Sequence, residues 1–385
     1  MKKIYYFDNA ATRPISKVAF EAMLPYLTDG YGNPSSVYSV GRDAKKAIED
    51  ARRTVATAIG AMPEEIYFTG SGTESNNWAI RSTVEQNKDK GKHIISSAIE
   101  HPAVMSTLKY LEKQGCDVTY LDVNEYGQVS LDELKKAIRS DTVLITIMMA
   151  NNEVGTILPS AEIGKIAKEN NVSFHTDAVQ AVGHIEVDVK EIGADMLTLS
   201  GHKLGGAKGV GVLYVRKGLN LPPFIHGGGQ ERGKRSGTEN VAGIVSLAAA
   251  LNDVLPRIPL NHVSQMRDKL IEGLLKITRS RLTGDPVNRL PGIASFVFEG
   301  IEGESILLLL DQCGIDASSG SACSSGSLDP SHVLLALGLP HEIAHGSLRF
   351  SICENNTDED IDYVLEKLPG IVAKLRSMSP VWNEE

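Results

Sequence analysis

Short apolar runs alternate with helix-like stretches through residues 1–220, and most of the runs end in a polar or glycine-rich cluster. The runs are Ile66–Thr69, His93–Ser97, Val118–Leu121, Val143–Met149, Val172–His175, Met196–Leu199 and Val210–Val215. Ahead of them Ala44, Ala47, Ile48, Ala51, Val55, Ala58 and Ile59 recur at helical spacing and share one face, which Gly60 terminates. Further helices are predicted after Gly72, over Ala103–Leu111, over Leu131–Ile138 and around Ile163–Ala167. Parallel strands need a crossover connection, usually a helix, so this alternation predicts an α/β fold whose sheet is mainly parallel and flanked by helices. Ligands of such sheets sit beyond the carboxyl ends of the strands. The clusters in those positions are Gly70-Ser71-Gly72-Thr73-Glu74, Glu100-His101, Asn151-Asn152-Glu153, Thr176-Asp177-Ala178-Val179-Gln180 and Ser200-Gly201-His202-Lys203. One sheet would gather all of them into a single site.

Near Pro256–Pro259 the pattern changes. A helix over 261–277, a strand over 294–298, a helix over 304–313, a Ser/Gly-rich loop, a strand over 348–352 and a helix over 358–375 read as a smaller α+β domain. A chain of 385 residues also exceeds the roughly 250–300 that one core serves. The expected division is a large domain over 15–255 and a small domain formed by 1–14 and 256–385. The 39 basic and 48 acidic residues leave a net charge of −9, which argues against a nucleic-acid binder. No apolar window approaches the roughly 18 residues of a membrane span. Met1-Lys2-Lys3-Ile4-Tyr5-Tyr6 lacks an apolar signal core, so a cytoplasmic location is expected. The four cysteines, Cys116, Cys313, Cys323 and Cys353, form no CxxC pair, no zinc pattern and no disulfide framework.

Lys203 follows a strand in Ser-Gly-His-Lys-Leu-Gly-Gly, where a lysine at a dry sheet end can form a Schiff base; Lys208 is its rival, and a solvated loop lysine is the ordinary alternative. Asp177, after another strand, either caps a turn or pairs with a cation. A Schiff-base lysine with an aspartate for a pyridinium nitrogen is the set that pyridoxal phosphate requires. The Gly70–Ser75 turn offers glycines and free N–H groups at a helix start, suited to a phosphate, with Thr73, Ser200 and His202 as further donors. It is neither GxGxxG nor a P-loop, which disfavours nucleotides. His101 either stacks on a ring and moves protons or is a satisfied structural residue. Asn152 and Gln180 suit a phenolic oxygen or turn chemistry. Arg349 suits a substrate carboxylate or an ion pair. Cys116, Cys313 and Cys353 read as small buried hydrophobes, whereas Cys323 lies among serines and glycines, where a thiol is exposed and the loop buries little. It reads as a mobile nucleophile.

These residues resemble those of group I cysteine desulfurases of the NifS/IscS type, within the class V aminotransferases and the fold type I pyridoxal phosphate enzymes. The resemblance spans nearly the whole chain. It is carried by Tyr6-Phe7-Asp8-Asn9-Ala10-Ala11-Thr12, Tyr31-Gly32-Asn33-Pro34-Ser35-Ser36, Thr73-Glu74-Ser75-Asn76-Asn77, Glu100-His101-Pro102, Asn151-Asn152-Glu153-Val154-Gly155, Asp177-Ala178-Val179-Gln180, Ser200-Gly201-His202-Lys203, Gly227–Arg232 with Arg235-Ser236-Gly237-Thr238, and Ser319-Gly320-Ser321-Ala322-Cys323. It implies that Lys203 carries pyridoxal phosphate, Asp177 pairs with its ring nitrogen, His101 stacks on the ring, and Asn152 and Gln180 contact the ring oxygen. Gly72, Thr73, Ser200 and His202 would hold the phosphate, with Thr238 reaching it from the partner subunit of a homodimer. Arg349 and Asn33 would bind the substrate. The long cysteine loop matches group I rather than the short Arg-x-Gly-His-His-Cys loop of group II. The chain ends soon after Ser379-Pro380-Val381-Trp382, where housekeeping relatives continue into a tail that contacts the scaffold protein.

The implied activity converts L-cysteine to L-alanine and leaves the sulfur as a persulfide on Cys323. Lys203 would move the Cα proton and His101 would shuttle protons. The sulfur would pass to a protein acceptor, either an iron–sulfur scaffold or a tRNA- or cofactor-thiolation protein. No resident metal is expected, Cys323 being a candidate ligand only for a transient iron–sulfur cluster. The alternatives are a selenocysteine lyase or a class V aminotransferase on the same scaffold, and, in another class, a non-catalytic sulfur-assembly partner.

Overall fold

The computed structural model describes residues 3–319 and 329–382. Its larger sheet has seven strands in the spatial order Ile66–Thr69, Gly211–Val215, Met196–Ser200, Ser173–Asp177, Thr142–Thr146, His93–Ser97 and Asp117–Leu121. Gly211–Val215 runs antiparallel to both neighbours, and every other pairing is parallel. The mainly parallel sheet flanked by helices is therefore present, with the six co-directional strands ending at one edge. Successive side chains point to opposite faces of a strand. Ile95, Ile145, Phe174 and Leu197 enter one core with Ile48, Ile163 and Leu247. Their neighbours Ile94, Leu144 and Met196 enter another with Trp78, Val104 and Leu108. Both faces being covered, the strands Thr142–Thr146, Met196–Ser200 and His93–Ser97 are buried at every position.

The helix of the first periodic stretch spans Ser39–Ala58 and turns Ala44, Ala47, Ile48, Ala51 and Val55 inward. It packs on Val241–Val254, a helix that the sequence pattern did not announce. The strand expected over 143–149 stops at Thr146, and the residues after it turn into the wall of the site.

A second core surrounds a three-stranded antiparallel sheet, Ser347–Ser351, Ile293–Phe298 and Ser280–Leu282. Leu270, Phe296, Leu310, Phe350 and Leu368 fill it from that sheet and from the helices Asn261–Leu274, Gly303–Gln312 and Asp358–Met378. The last helix starts with a capping box between Thr357 and Asp360. The N-terminus is woven into this core: Tyr5–Tyr6 pairs in parallel with Ile315–Asp316, and Phe7 is fully buried there. Among the described residues no single helix is long and apolar enough to cross a membrane. One bent pair, Val241–Arg257 with Asn261–Leu274, meets the length and composition, and its apolar residues lie in the two cores.

Candidate active site

The co-directional strands deliver their five clusters to one cavity of about 270 Å³, which Ala10, Ala11 and Arg349 help to close. After the strand Ile66–Thr69, Ser71 caps the helix Gly72–Gln86 by accepting from the Glu74 amide at 3.1 Å. The first-turn N–H groups of a helix have no intrahelical partner, and here Gly72 and Thr73 line the cavity. A Cβ built on Gly72 would approach Val179 Cγ2 to 2.9 Å and Ser200 Cβ to 3.4 Å, so a side chain would fill the cradle that glycine leaves open.

Asp177 is the buried last residue of its strand. Its Oδ2 accepts from Asn76 Nδ2 at 2.6 Å and its Oδ1 from the Val179 amide at 3.0 Å. Asn76 lies four residues after Gly72, on the same helix face. Its Oδ1 is buried with no hydrogen-bond partner among the described residues. Two strand positions before Asp177, His175 lies between Thr146 and Thr198 at 2.8 and 3.1 Å, a polar ladder across three strands beneath the site.

His101 serves both roles the sequence left open. It caps the helix Pro102–Glu112, its Nδ1 accepting from the Ala103 amide at 3.1 Å, and it lines the cavity. With Nδ1 engaged as an acceptor, Nε2 carries the proton of the neutral ring. Burial holds the imidazole below its ordinary pKa; Asp177 opposes this, and Lys203 and His332 add to it.

Lys203 Nζ donates to the carbonyls of Ala10 and Ala11 at 2.6 and 2.7 Å. Gln180 Nε2 shares the Ala10 carbonyl at 3.0 Å. Lys208, the rival lysine, is exposed and does not line the cavity. His202 Nδ1 meets Thr12 Oγ1 at 3.2 Å, and burial, reinforced by Lys203 and Lys208, pushes the ring down to about 4. Arg349 comes from the second core, on the strand Ser347–Ser351. Its Nη1 donates to the Asn152 carbonyl at 3.0 Å and its Nη2 to Asp8 at 2.8 Å.

Two buried carboxyls stand behind this wall. Glu100 accepts from Ser97 Oγ at 2.6 Å and from the Met148 amide at 2.8 Å, and burial raises it to about 8. Glu153 accepts from Ser331 Oγ, and burial raises it to about 7. His332 Nε2 meets the Glu100 carbonyl at 3.0 Å, so residues 331–332, just ahead of Val333 and Leu334 in the first core, are tied to the cavity wall at two points.

Lys203, His101, Gly72, Thr73, Asn152, Asp177, Gln180, Ser200, His202 and Arg349 thus meet in one place. Asn33 and Thr238 do not: both are exposed and neither lines the cavity, Asn33 using its Oδ1 to accept from the Ser35 amide at 2.9 Å. Cys323 lies outside the described residues. Cys353 is buried, while Cys116 and Cys313 are only half-buried. Among the described residues no group of three or more His, Cys, Asp or Glu side chains is arranged to hold a metal ion. The residues that sequence reasoning missed are Asn76, whose helical spacing from Gly72 was a usable signal, and Ala10 and Ala11, which act through main-chain carbonyls and gave none.

The sequence model of the aminotransferase class-V family matches residues 5–364. The chain is 57% identical to a cysteine desulfurase IscS of Methanosarcina thermophila over all of this chain and 95% of that one. It is 51% identical to a cysteine desulfurase IscS of Dictyoglomus turgidum, covering 100% and 98% of the two. Among solved structures it is similar to a NifS-like protein with a TM-score of 0.92 at 39% identity, covering 97% of this chain and 100% of that one. It is also similar to the protein SspA in complex with cysteine, with a TM-score of 0.82 at 38% identity, covering 90% and 98%.

Proposed function

The chain belongs to the class-V aminotransferase family and is a cysteine desulfurase, and from that premise we propose how its residues divide the work on L-cysteine. The family's cofactor is pyridoxal phosphate, and the donor set fits it: an open glycine cradle at a helix start, a buried carboxylate held by two donors, and a lysine at a strand end. Lys203 would hold the cofactor covalently, Gly72, Thr73, Ser200 and His202 its phosphate, Asp177 its ring nitrogen, and Asn152 and Gln180 its ring oxygen, with His101 against the ring. When bound, pyridoxal phosphate supplies an electron sink that acidifies the substrate's Cα–H bond and activates its sulfur for transfer.

Arg349, which lines the cavity, binds the α-carboxylate of L-cysteine. The Lys203 amine takes and returns the Cα proton, with the Ala10 and Ala11 carbonyls receiving it when it is protonated. His101 moves protons through Nε2, since Nδ1 is committed to the helix cap. The Cys323 thiolate attacks the substrate sulfur. L-Cysteine and the thiol become L-alanine and a Cys323 persulfide, so atoms balance without a further oxidant.

The exposure of Thr238 supports a homodimer in which it completes the partner's phosphate site. The persulfide then passes to a protein acceptor in the cytoplasm, an iron–sulfur scaffold or a thiolation protein. The separate core around the three-stranded sheet, with Phe7 inside it, supports the division into 15–255 and 1–14 with 256–385, the segment around Val333, Leu334, Leu337 and Leu339 packing across against the first core.

The observation that carries this reading is the meeting of Lys203, Asp177, His101 and Arg349 in one cavity. The test compares the native protein with Cys323→Ala on L-cysteine plus a reductant. Equal alanine and sulfide from a yellow native protein, with a yellow but inactive variant, is the expected result. A fully active variant refutes the role of Cys323, and a colourless native protein refutes that of Lys203.

A further inference from the structure

Arg349 is almost wholly buried, its side chain 3% exposed, and its charge is already matched. Asp8 Oδ1 accepts from Nη2 at 2.8 Å and the Asn152 carbonyl from Nη1 at 3.0 Å, while Nε is buried without a partner among the described residues. Asp8 is fixed in place. It bridges to Ser351, the last residue of the Arg349 strand, and its carbonyl accepts from Tyr6 Oη at 3.1 Å and from the amides of Ala11 and Thr12 at 3.0 and 3.3 Å. Arg349 lines the cavity and Asp8 does not. An incoming carboxylate therefore meets a guanidinium that a resident carboxylate has partly neutralised, and it approaches from the side that Asp8 leaves open.

We propose that Asp8 is a positioning residue that sets the strength of the carboxylate clamp: it orients Arg349 and offsets its charge, so that α-amino acids bind selectively but loosely. The inference rests on reading Arg349 as the α-carboxylate site. Two carboxylates sharing one guanidinium repel each other, and removing the resident one strengthens the hold on the visitor. In a partly dry cavity this is on the order of tenfold in affinity. A residue needed only to prop up Arg349 would do the opposite, because its loss would weaken binding.

The test uses holoenzyme carrying Asp8→Asn, which keeps an oxygen that can accept from Nη2 and removes the charge, with Arg349→Lys as the reference. Dissociation constants of L-alanine, which has a carboxylate, and ethylamine, which lacks one, are measured by calorimetry alongside KM for L-cysteine and cysteamine. Expected is L-alanine binding about tenfold tighter to Asp8→Asn, a lower KM for L-cysteine, and unchanged values for ethylamine and cysteamine. Asp8→Ser provides the same change of charge should Asp8→Asn fail to fold. Unchanged or weaker L-alanine binding in the folded Asp8 variant, with Arg349→Lys losing the preference for carboxylates, overturns the role of Asp8 and leaves that of Arg349 standing. If Arg349→Lys keeps the preference, the clamp reading falls and this inference with it.

Discussion

Replacing Glu231 tests whether the loop that carries Arg235 and Thr238 is held by one buried ion pair. Arg52 and Glu231 meet side on, Nη1 to Oε2 at 2.8 Å and Nη2 to Oε1 at 2.7 Å, with side chains 5% and 3% exposed. Glu231 also accepts from the Phe68 amide at 2.8 Å, fixing the loop to the edge strand of the large sheet. The contact sustains an unfavourable backbone, since Glu231 and Arg232 both lie in the left-handed region at φ 45° and 58°. Such residues cost of order 1–3 kcal/mol each and persist only where surrounding contacts hold them. Removing one partner of a buried pair typically costs about 3–5 kcal/mol, because the other charge stays buried and unmatched. Glu231→Gln retains an acceptor for Phe68, and Arg52 keeps Glu49 at 3.2 Å from its Nε, so the lower end, about 3 kcal/mol, is expected.

Urea denaturation of the holoenzyme at fixed protein concentration, followed by circular dichroism, measures this. Raising the salt should leave the loss intact, since a buried pair is screened far less than an exposed one. The double variant Arg52→Met with Glu231→Leu should recover only part of it, because apolar replacement removes the unmatched charge but leaves the Phe68 amide without its acceptor. A loss below about 1 kcal/mol in Glu231→Gln would refute the argument, showing that the loop is held elsewhere. Arg235 bonded to Glu74 at 2.7 and 3.1 Å would then be the place to look.

The remaining expectations concern Glu100 and Gly72. Glu100 titrates near 8 when folded against an ordinary 4.5, so the folded state holds a proton that the unfolded chain has released. Its contribution to stability is complete below about pH 4.5 and is lost as pH rises through about 8. Glu100→Gln should flatten the fall in Tm between pH 5 and 8, and an unaltered slope would contradict the assignment. Gly72→Ala places a methyl 2.9 Å from Val179 Cγ2 without backbone strain. The apoprotein should then take up pyridoxal phosphate about tenfold more weakly by absorbance titration, a 1.4 kcal/mol change, and unchanged uptake would show that the cradle is not where the phosphate sits.

Legibility in the sequence followed burial geometry. The central strands were readable because both faces are covered, leaving unbroken apolar runs that end where polar clusters begin. Val241–Val254 escaped because it is buried on nearly all sides: Ala242, Ile244, Leu247, Ala248, Leu251 and Val254 leave no polar face to set a period. Ser280–Leu282 escaped for the opposite reason, being a three-residue edge strand with an arginine at its centre. The site residues that follow strands were legible as chemistry, because Lys203, Asp177 and His101 each bring a group that a strand end must use or hide. Asn33 and Thr238 came only from resemblance, and one chain by itself leaves both at the surface.

Asp8-Asn9-Ala10-Ala11-Thr12 shows what pattern reading passes over. Two alanines and a threonine promise no chemistry, yet in this short stretch the Ala10 and Ala11 carbonyls receive Lys203, the Ala10 carbonyl receives Gln180, and Thr12 meets His202. Asp8 and Arg13 add charge at either end, Asp8 to Arg349 and Arg13 to Glu354. The stretch leaves the second core at the buried Phe7 and crosses to the strand ends of the first, so it joins Arg349 to the amine of Lys203. Its small side chains follow from that position, because main-chain carbonyls can reach a lysine amine only where no bulk intervenes. A substitution such as Ala10→Val would therefore act on Lys203 with no change in any charged or nucleophilic group, through the distance at which a carbonyl can accept.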